Sequence, residues 1–297
     1  MRTYFDCIPC FVRQTLDVVR LITDDEQIHE KVMREMLCLG CEMDLRQSPP
    51  AIASKIHRMI RKLTGVCDPY LEVKNHFNKL ALKMYPELRQ RIETTVDPLE
   101  MAIRLAIAGN IIDLGVNAVL EESNVEKAID ESLTSPLDTE ALEEFRNATA
   151  HAREILYIGD NAGEIVFDRL LIEQLTTENI TFVVKGAPII NDATIEDAQI
   201  AGLTDIVNVI DNGSDAPGTI LETCSQDFRR RFNEADLIIA KGQGNYETLS
   251  DADKDVFFIL RAKCPVIARH LGCEIGDLVL KKNKVVVGNK ENLEERS

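Results

Sequence analysis

Two patterns along the chain predict an α/β protein, in which an N-terminal all-helical domain packs on a three-layer α/β/α domain with a mostly parallel sheet. Residues 1–150 carry apolar side chains at helical spacing and no useful stretch of β alternation. From Glu154 onward, short β-rich runs alternate with loops and helical segments, as in a doubly wound sheet covered on both faces. We therefore expect a helical domain with connecting helices over residues 1–150 and a Rossmann-like domain over residues 151–297.

Proline, glycine and capping residues predict where several of the helices begin and end. Ser48 precedes two prolines, which favours a helix start at that point, and Gly65 is placed to end the same helix. Pro86 is expected at a helix boundary, because proline in a helix interior removes a hydrogen bond. Asp97 precedes Pro98 and is expected to begin a further helix.

Two polar residues, Asn110 and Asp113, interrupt an otherwise apolar segment after that helix start. Buried polar groups need hydrogen-bond partners, so these two side chains are expected either to support a neighbouring loop or to line a site. Structural support is the more common role for such residues. Both are kept as candidate substrate-binding residues.

Four β-rich apolar runs predict the main strands of the sheet, and each is followed by a polar or glycine-containing loop. Two shorter runs near the C-terminus offer further strands. The four main runs span residues 155–158, 180–184, 206–210 and 236–240, and the shorter ones span 265–268 and 284–287.

The composition argues against several classes of function. The formal charge is −16, from 50 acidic and 34 basic residues, and no basic stripe is visible, so we expect no nucleic-acid partner. No apolar run reaches the length of a membrane span and no signal-peptide pattern is present, which predicts a cytoplasmic protein without a membrane partner. A small anionic substrate would need a metal ion, a lysine or a helix N-terminus close by. Nothing in the sequence indicates an oligomeric state.

Candidate metal ligands follow two of the predicted strands. Asp160 and Asn161 come just after the first strand, and Asp192 lies in the loop after the second. In open α/β sheets such loops meet beyond the carboxyl ends of the strands, where ligands bind. Two carboxylates and an amide suit Mg²⁺, Mn²⁺ or a similar hard cation. The structural alternative is that these residues only cap the helices that follow them.

The loop after the fourth strand adds a candidate phosphate site. Lys241 and the backbone amides of Gly242 and Gly244 would suit phosphate oxygens, although the same residues also fit a solvated loop. A nucleophile–histidine triad is not indicated, because His270 has no plausible nucleophile nearby in sequence.

Four of the eight cysteines form two C-x-x-C units, Cys7 with Cys10 and Cys38 with Cys41. Together they can supply four thiolates to a structural zinc ion, although both units lie within or beside predicted helices. The alternative is that they are buried thiols near the contact between the two domains.

Several long phrases in the chain resemble those of the damage-control phosphatases, a family also classed as domain of unknown function 89. The phrases are G-D-N-A-G-E-I-V-F-D from Gly159, K-G-A-P-I-I-N-D-A-T-I-E-D-A from Lys185 and A-K-G-Q-G-N-Y-E-T-L from Ala240. The likeness covers essentially the whole chain, including C-I-P-C-F-V-R-Q from Cys7 and A-G-N-I-I-D-L-G from Ala108. The chain most resembles the compact archaeal and plant-type branch.

This resemblance implies a divalent-metal-dependent phosphatase that acts on small phosphorylated metabolites, including sugar phosphates and damaged phosphometabolites. It implies a Mn²⁺, Mg²⁺, Co²⁺ or Ni²⁺ ion held by Asp160, Asn161 and Asp192. Asp160, Asp192 and Lys241 are the candidate catalytic residues. The substrate-contacting residues that it implies are Gln243, Gly244, Asn245, Tyr246, Lys263 and, with a one-residue ambiguity in the match, Glu164.

If the protein is a phosphatase, we hypothesise that a water molecule attacks the phosphorus directly, with an aspartate as general base. A lysine would bind the remaining phosphoryl oxygens. A phospho-aspartyl intermediate through Asp160 is the alternative. A structure trapped with a fluoride mimic of phosphate separates the two routes, because Asp160 lies in line only in the second.

Two other functions are consistent with parts of the sequence. A metal- or nucleotide-binding regulatory module without turnover would use the same site residues, and catalytic release of phosphate separates it from the phosphatase. A carboxyl methyltransferase would need a glycine-rich first loop, but D-N-A-G-E offers a single glycine.

Overall fold

The computed structural model describes residues 1–110 and 122–283, and within these ranges seven helices precede the first strand. The expected strand 284–287 lies outside the described residues. No helix within them is both long and apolar enough to cross a membrane. The seven helices are α1 (Cys7–Ile22), α2 (Glu26–Cys41), α3 (Pro49–Thr64), α4 (Leu71–Thr94), α5 (Pro98–Gly109), α6 (Glu122–Thr134) and α7 (Thr139–His151).

Six strands and five further helices follow, which confirms the predicted α/β class and the mostly parallel sheet. The strand order is β3-β2-β1-β4-β5-β6, with β1 to β5 parallel and β6 antiparallel to β5. The elements are β1 (Ile155–Ile158), α8 (Glu164–Ile172), β2 (Ile180–Val184), α9 (Ile195–Ile200), β3 (Asn208–Asp211), α10 (Gln226–Glu234), β4 (Leu237–Lys241), α11 (Gly242–Leu249), β5 (Val256–Arg261), α12 (Pro265–Leu271) and β6 (Leu278–Lys282).

The sheet order reverses between β1 and β4, and this point decides where a ligand can bind. Ile158, the last residue of β1, aligns with Val183 of β2 on one side and with Ala240 of β4 on the other. The loops after β1, β2 and β4 therefore leave the sheet side by side. Crevices at such reversal points are the usual ligand sites of open α/β sheets.

Three apolar clusters hold the fold together. One lies between the sheet and the helices α4 to α9 and includes Tyr157, and a second lies on the opposite face with α10, α11 and α12 and includes Ile158. Adjacent β1 residues thus point to opposite faces, as strand geometry requires. The third cluster joins α1, α2 and α3, with Val18, Val32 and Ile56 buried at its centre. Helices α4 to α7 therefore share a core with the sheet, whereas α1 to α3 have one of their own.

Two local expectations were wrong. Residues 265–268, expected as a strand, form the start of α12, with Pro265 in its first turn and Gly272 as its left-handed cap. That combination of proline and glycine is itself a helix signature. Pro86 lies inside α4 rather than at a helix boundary. The strands β5 and β6 were not predicted, although β5 is an uninterrupted apolar run.

Candidate active site

Backbone hydrogen bonds tie the loop after β1 to the loop after β2. The amide of Ala193 donates to the carbonyl of Asp160 (2.8 Å), and the amide of Ala162 donates to the carbonyl of Asn191 (2.9 Å). Asn161 and Asp192 consequently form an isolated antiparallel bridge. The structure thus brings Asp160, Asn161 and Asp192 together at one edge of the sheet, as expected.

The side chain of Asn161 is oriented by two carboxylates. Its Nδ2 donates to Asp160 Oδ2 (2.9 Å) and to Glu164 Oε2 (3.0 Å), so its Oδ1 is the atom left to face a ligand. Asn110 Nδ2 donates to the same two oxygens, at 3.2 and 2.7 Å. Asp160, Asn161 and Asp192 are 9, 5 and 4% exposed. Largely desolvated oxygens of this kind suit a hard divalent cation, so the residues present fit the metal that the sequence predicts.

Helix capping, the structural alternative for these residues, does not account for them. The cap of α8 is Gly163, which has no side chain to offer. The cap of α9 is Thr194, which forms a capping box with Asp197. Asp160, Asn161 and Asp192 therefore lie at this edge of the sheet without capping either helix.

The side chain of Lys241 points into the protein core and does not reach the cleft-facing edge of the sheet. Its fully buried ammonium donates to Glu164 Oε1 (2.7 Å), to Asp168 Oδ1 (2.6 Å) and to the carbonyl of Ala106 (2.9 Å), which uses all three of its protons. Lys241, expected to bind phosphate, therefore has no proton left to donate to a group in the cleft. Glu164, expected to touch the substrate, is also fully buried and instead joins Lys241 to Asn110 and Asn161.

The charges in this buried group do not balance, because one ammonium faces two carboxylates. Burial lowers the pKa of Lys241, but Asp168 and Glu164 outweigh that effect and raise it above its ordinary value. Burial raises the pKa of Asp168 to about 6, while Tyr157 donates a hydrogen bond of 2.9 Å to its Oδ1. Burial raises the pKa of Glu164, but Lys241, together with Lys263 and Asn110, outweighs burial and keeps the pKa of that carboxyl below its usual value.

Gly242 allows α11 to start against the carboxylate of Asp160. Its φ is +76°, and a Cβ at this position would lie 1.9 Å from Asp160 Oδ2. Any larger residue would therefore have to displace the proposed metal ligand. Lys241, the cap of α11, makes no side-chain cap bond, so its side chain does not occupy the first amides of this helix.

Gly242→Ala should lower cation affinity about 10- to 100-fold, in the range seen when residues supporting a metal ligand are changed. It should also cost about 1–3 kcal/mol of stability through backbone strain. Gly272→Ala is the matched control, because Gly272 has the same φ of +76° and no atom within 4 Å of an added Cβ. Mn²⁺ titration calorimetry and urea unfolding of both variants test this. Equal affinity for Mn²⁺ in the two variants would contradict the contact with Asp160.

A cleft of about 390 Å³ opens in front of Asp160, Asn161 and Asp192. The helices α1 and α3 form one wall, and the starts of α11 and α12 form the other. Of the expected substrate contacts, Gln243, Gly244 and Lys263 line this cleft. Its other lining residues include Phe11, Pro49, Pro50, Ala53, Asn191, Pro217, Gly218, Glu247, Cys264 and Val266.

The other expected substrate contacts do not line the cleft. Asn245 is buried and donates to the carbonyls of Lys241 (2.7 Å) and Gly159 (3.2 Å). Tyr246 packs edge-on against Phe258 and shares a 2.7 Å hydrogen bond with His270. Asn110 supports the ligand loop, as described above, and Asp113 lies outside the described residues.

The structure does not bring together the four cysteines that were considered as ligands of a structural zinc ion. Within residues 1–110 and 122–283, no three histidine, cysteine, aspartate or glutamate side chains are arranged to hold a metal ion. Cys7 and Cys10 line the cleft, whereas Cys38 and Cys41 are exposed near the end of α2. The alternative of buried thiols is also wrong for Cys10, Cys38 and Cys41, because they are exposed.

Two further features support the site, and neither was assigned a role from the sequence. Lys185 is buried at the end of β2 and forms an ion pair with Asp192 Oδ1 at 3.3 Å. Its place in K-G-A-P, directly after a predicted strand, was the available signal. Ile190 has a φ of +46°, a strained conformation for a β-branched residue, two positions before Asp192. No sequence pattern predicts this left-handed backbone conformation of Ile190.

Comparison with known proteins agrees with this architecture. The family model of the damage-control phosphatase ARMT1-like domain matches residues 3–279. The chain is 37% identical to a damage-control phosphatase of Archaeoglobus fulgidus over 93% of this chain and 97% of that protein. It is 38% identical to a damage-control phosphatase of Pyrococcus horikoshii over 96% of this chain and 99% of that protein.

A solved structure gives the same result for the fold. The crystal structure of a Pyrococcus horikoshii protein of the domain of unknown function 89 family superposes with a TM-score of 0.86 at 34% identity, covering 96% of this chain and 100% of that one. A family match over nearly the whole chain, with relatives of this similarity, leaves one conclusion. The chain belongs to the damage-control phosphatase ARMT1-like family.

Proposed function

We propose that this protein hydrolyses phosphomonoesters of small metabolites with a divalent cation held by Asp160, Asn161 and Asp192. The observation that carries the proposal is the bridge between Asn161 and Asp192, which brings three oxygen ligands to the open end of β1. Membership of the family supports a phosphatase, and the carboxylate–amide ligand set supports Mg²⁺, Mn²⁺, Co²⁺ or Ni²⁺ over zinc.

The cation, when bound, would polarise a phosphoryl oxygen and neutralise charge that develops on it. The chain supplies the remaining positive potential from Lys263 and from the uncapped amides at the start of α11. Asn110 donates hydrogen bonds to Asp160 and Glu164, and Asn161 donates to Glu164, which holds the proposed ligands in place. Lys241 in turn donates to Glu164 from the buried side. We therefore assign Lys241 and Glu164 to positioning the ligands rather than to contacting the phosphate.

The size and lining of the cleft favour a small substrate. A volume of about 390 Å³ is in the range of small-ligand pockets. The related proteins of Archaeoglobus fulgidus and Pyrococcus horikoshii are named damage-control phosphatases. We accordingly propose sugar phosphates or damaged phosphometabolites as the substrate class.

Phosphate release from phenyl phosphate tests this function directly. The protein is stripped of metal and assayed alone, and then with Mg²⁺, Mn²⁺, Co²⁺ or Ni²⁺ restored. We expect no release without metal and turnover with at least one of the four cations. Cation binding by the folded protein without any turnover would instead support the second candidate, a metal-binding regulatory module.

A further inference from the structure

Glu247 is a buried carboxylate in the wall of the cleft that the proposed phosphatase chemistry does not use. It lies on α11, one turn after Gln243, and is 8% exposed. Its Oε1 accepts a hydrogen bond of 2.9 Å from Gln243 Nε2. The N-terminal ammonium donates a hydrogen bond of 2.9 Å to the backbone carbonyl of Glu247 and lowers the pKa of its carboxyl, but by less than burial raises it.

Gln243 carries an acceptor without a hydrogen-bond partner among the described residues. Its Nε2 is engaged with Glu247 and with Cys264 Sγ (3.7 Å), which turns its Oε1 away from both. That Oε1 is buried and has no hydrogen-bond partner in the described part of the chain. Buried acceptors left in this state lower stability unless a ligand supplies the missing donors.

The surroundings of this pair indicate which part of a substrate it would meet. Glu247 and Gln243 line the same cleft as Asp160 and Asp192, so a molecule whose phosphate lay at the metal ligands would share the cleft with them. Phe11, Pro49, Pro50, Ala53 and Val266 line the same cleft with apolar side chains, and Asp6 and Gln14 add polar side chains on the α1 side. Burial raises the pKa of Glu247 to about 7, so near neutral pH the ionised, accepting form is well populated.

We infer that Glu247 and Gln243 bind hydrogen-bond donors on the non-phosphate part of the substrate. This pair selects phosphomonoesters that carry hydroxyl or amino groups over those whose remaining part is hydrocarbon. The inference rests on the proposed function, because the phosphate must be held at the metal ligands for the pair to contact the rest of the molecule. Glu247 is thereby a specificity-determining residue.

Competition with phenyl phosphate hydrolysis measures this selection without requiring the competitor to turn over. Inhibition constants are determined for glycerol 3-phosphate, 3-aminopropyl phosphate and propyl phosphate, which share a three-carbon skeleton and differ in donors. The wild type should bind at least one donor-bearing compound about 10- to 100-fold more tightly than propyl phosphate, the range for hydrogen bonds to a charged group. Glu247→Ala should remove most of that preference.

The ratio of two inhibition constants does not depend on how much of a preparation is folded, so a partly unfolded variant still gives a valid result. Glu247→Gln separates the two kinds of donor, because it keeps an accepting oxygen and removes the charge. A hydroxyl-binding site retains its preference for glycerol 3-phosphate in this variant, whereas an ammonium-binding site loses its preference for 3-aminopropyl phosphate. Glu35→Ala, an exposed glutamate on α2, is the control and should leave every ratio unchanged.

One result would contradict the role of Glu247, and another would contradict the phosphatase function. An unchanged ratio in Glu247→Ala, or a wild type that binds the three compounds equally, overturns the role of Glu247 while leaving the phosphatase intact. Absence of metal-restored release from phenyl phosphate in the wild type overturns the proposed function itself.

Discussion

Asp160→Ala should lower metal-restored phosphate release at least about a thousandfold, since a catalytic cation contributes several kcal/mol and each 1.36 kcal/mol is a tenfold change in rate. The variant removes a proposed cation ligand and also the acceptor that Asn110 and Asn161 share. Both asparagine amides then keep only Glu164 Oε2 as a shared acceptor. The measurement is kcat/KM for phenyl phosphate with the cation that best restores the wild type.

Asp253→Ala is the control for this experiment, because Asp253 is an exposed carboxylate outside the cleft. The activity of this variant should match that of the wild type. Cation-induced thermal stabilisation provides a readout that does not require turnover, and Asp160→Ala should lose it. Retained stabilisation together with retained turnover would exclude Asp160 from the metal site. Lost turnover with full cation binding would move Asp160 from ligand to another role in the reaction.

Lys241→Met should destabilise the protein by about 3–5 kcal/mol, the cost of removing one partner from a buried ion pair. Glu164 and Asp168 would remain as two fully buried carboxylates without a counter-ion. Urea unfolding, monitored by circular dichroism, measures the loss. Because Glu164 orients Asn161, the variant should also bind the cation about 10- to 100-fold more weakly.

Asp168→Asn is the matched control, since it leaves one carboxylate for one ammonium, and its cost should be clearly smaller than that of Lys241→Met. The pH dependence gives a second check. The pKa of Asp168 rises from 3.8 to about 6 on folding, so between about pH 4 and 6 the native state holds this proton more tightly than the unfolded state. Ionisation of Asp168 therefore destabilises the wild type as pH rises through this window, and Asp168→Asn should gain stability relative to it. Equal losses in the two variants would contradict the charge imbalance.

The elements that local sequence determines were largely predictable. The strand β1 follows from four consecutive β-forming apolar residues, and its sharp end follows from Gly159, Asp160 and Asn161. Gly65 ends α3 in a left-handed conformation, as its position suggested. The meeting of the loops after β1 and β2 was also predictable, because alternating strands and helices require a parallel sheet with its loops at one edge.

The tertiary structure alone decided which way each polar side chain points. Lys241 and Gly242 are neighbours in one motif, yet the lysine turns into the core toward Glu164 and Asp168 while the glycine faces Asp160. Strand residues alternate between faces, and the register of β4 against β1, which local sequence does not specify, fixes which face each one meets. The cysteine pairs were misjudged for a related reason, because spacing along a helix does not determine how far apart two helices hold their side chains. Long-range packing therefore decided which of these residues face the cleft and which are buried behind the cleft-lining residues.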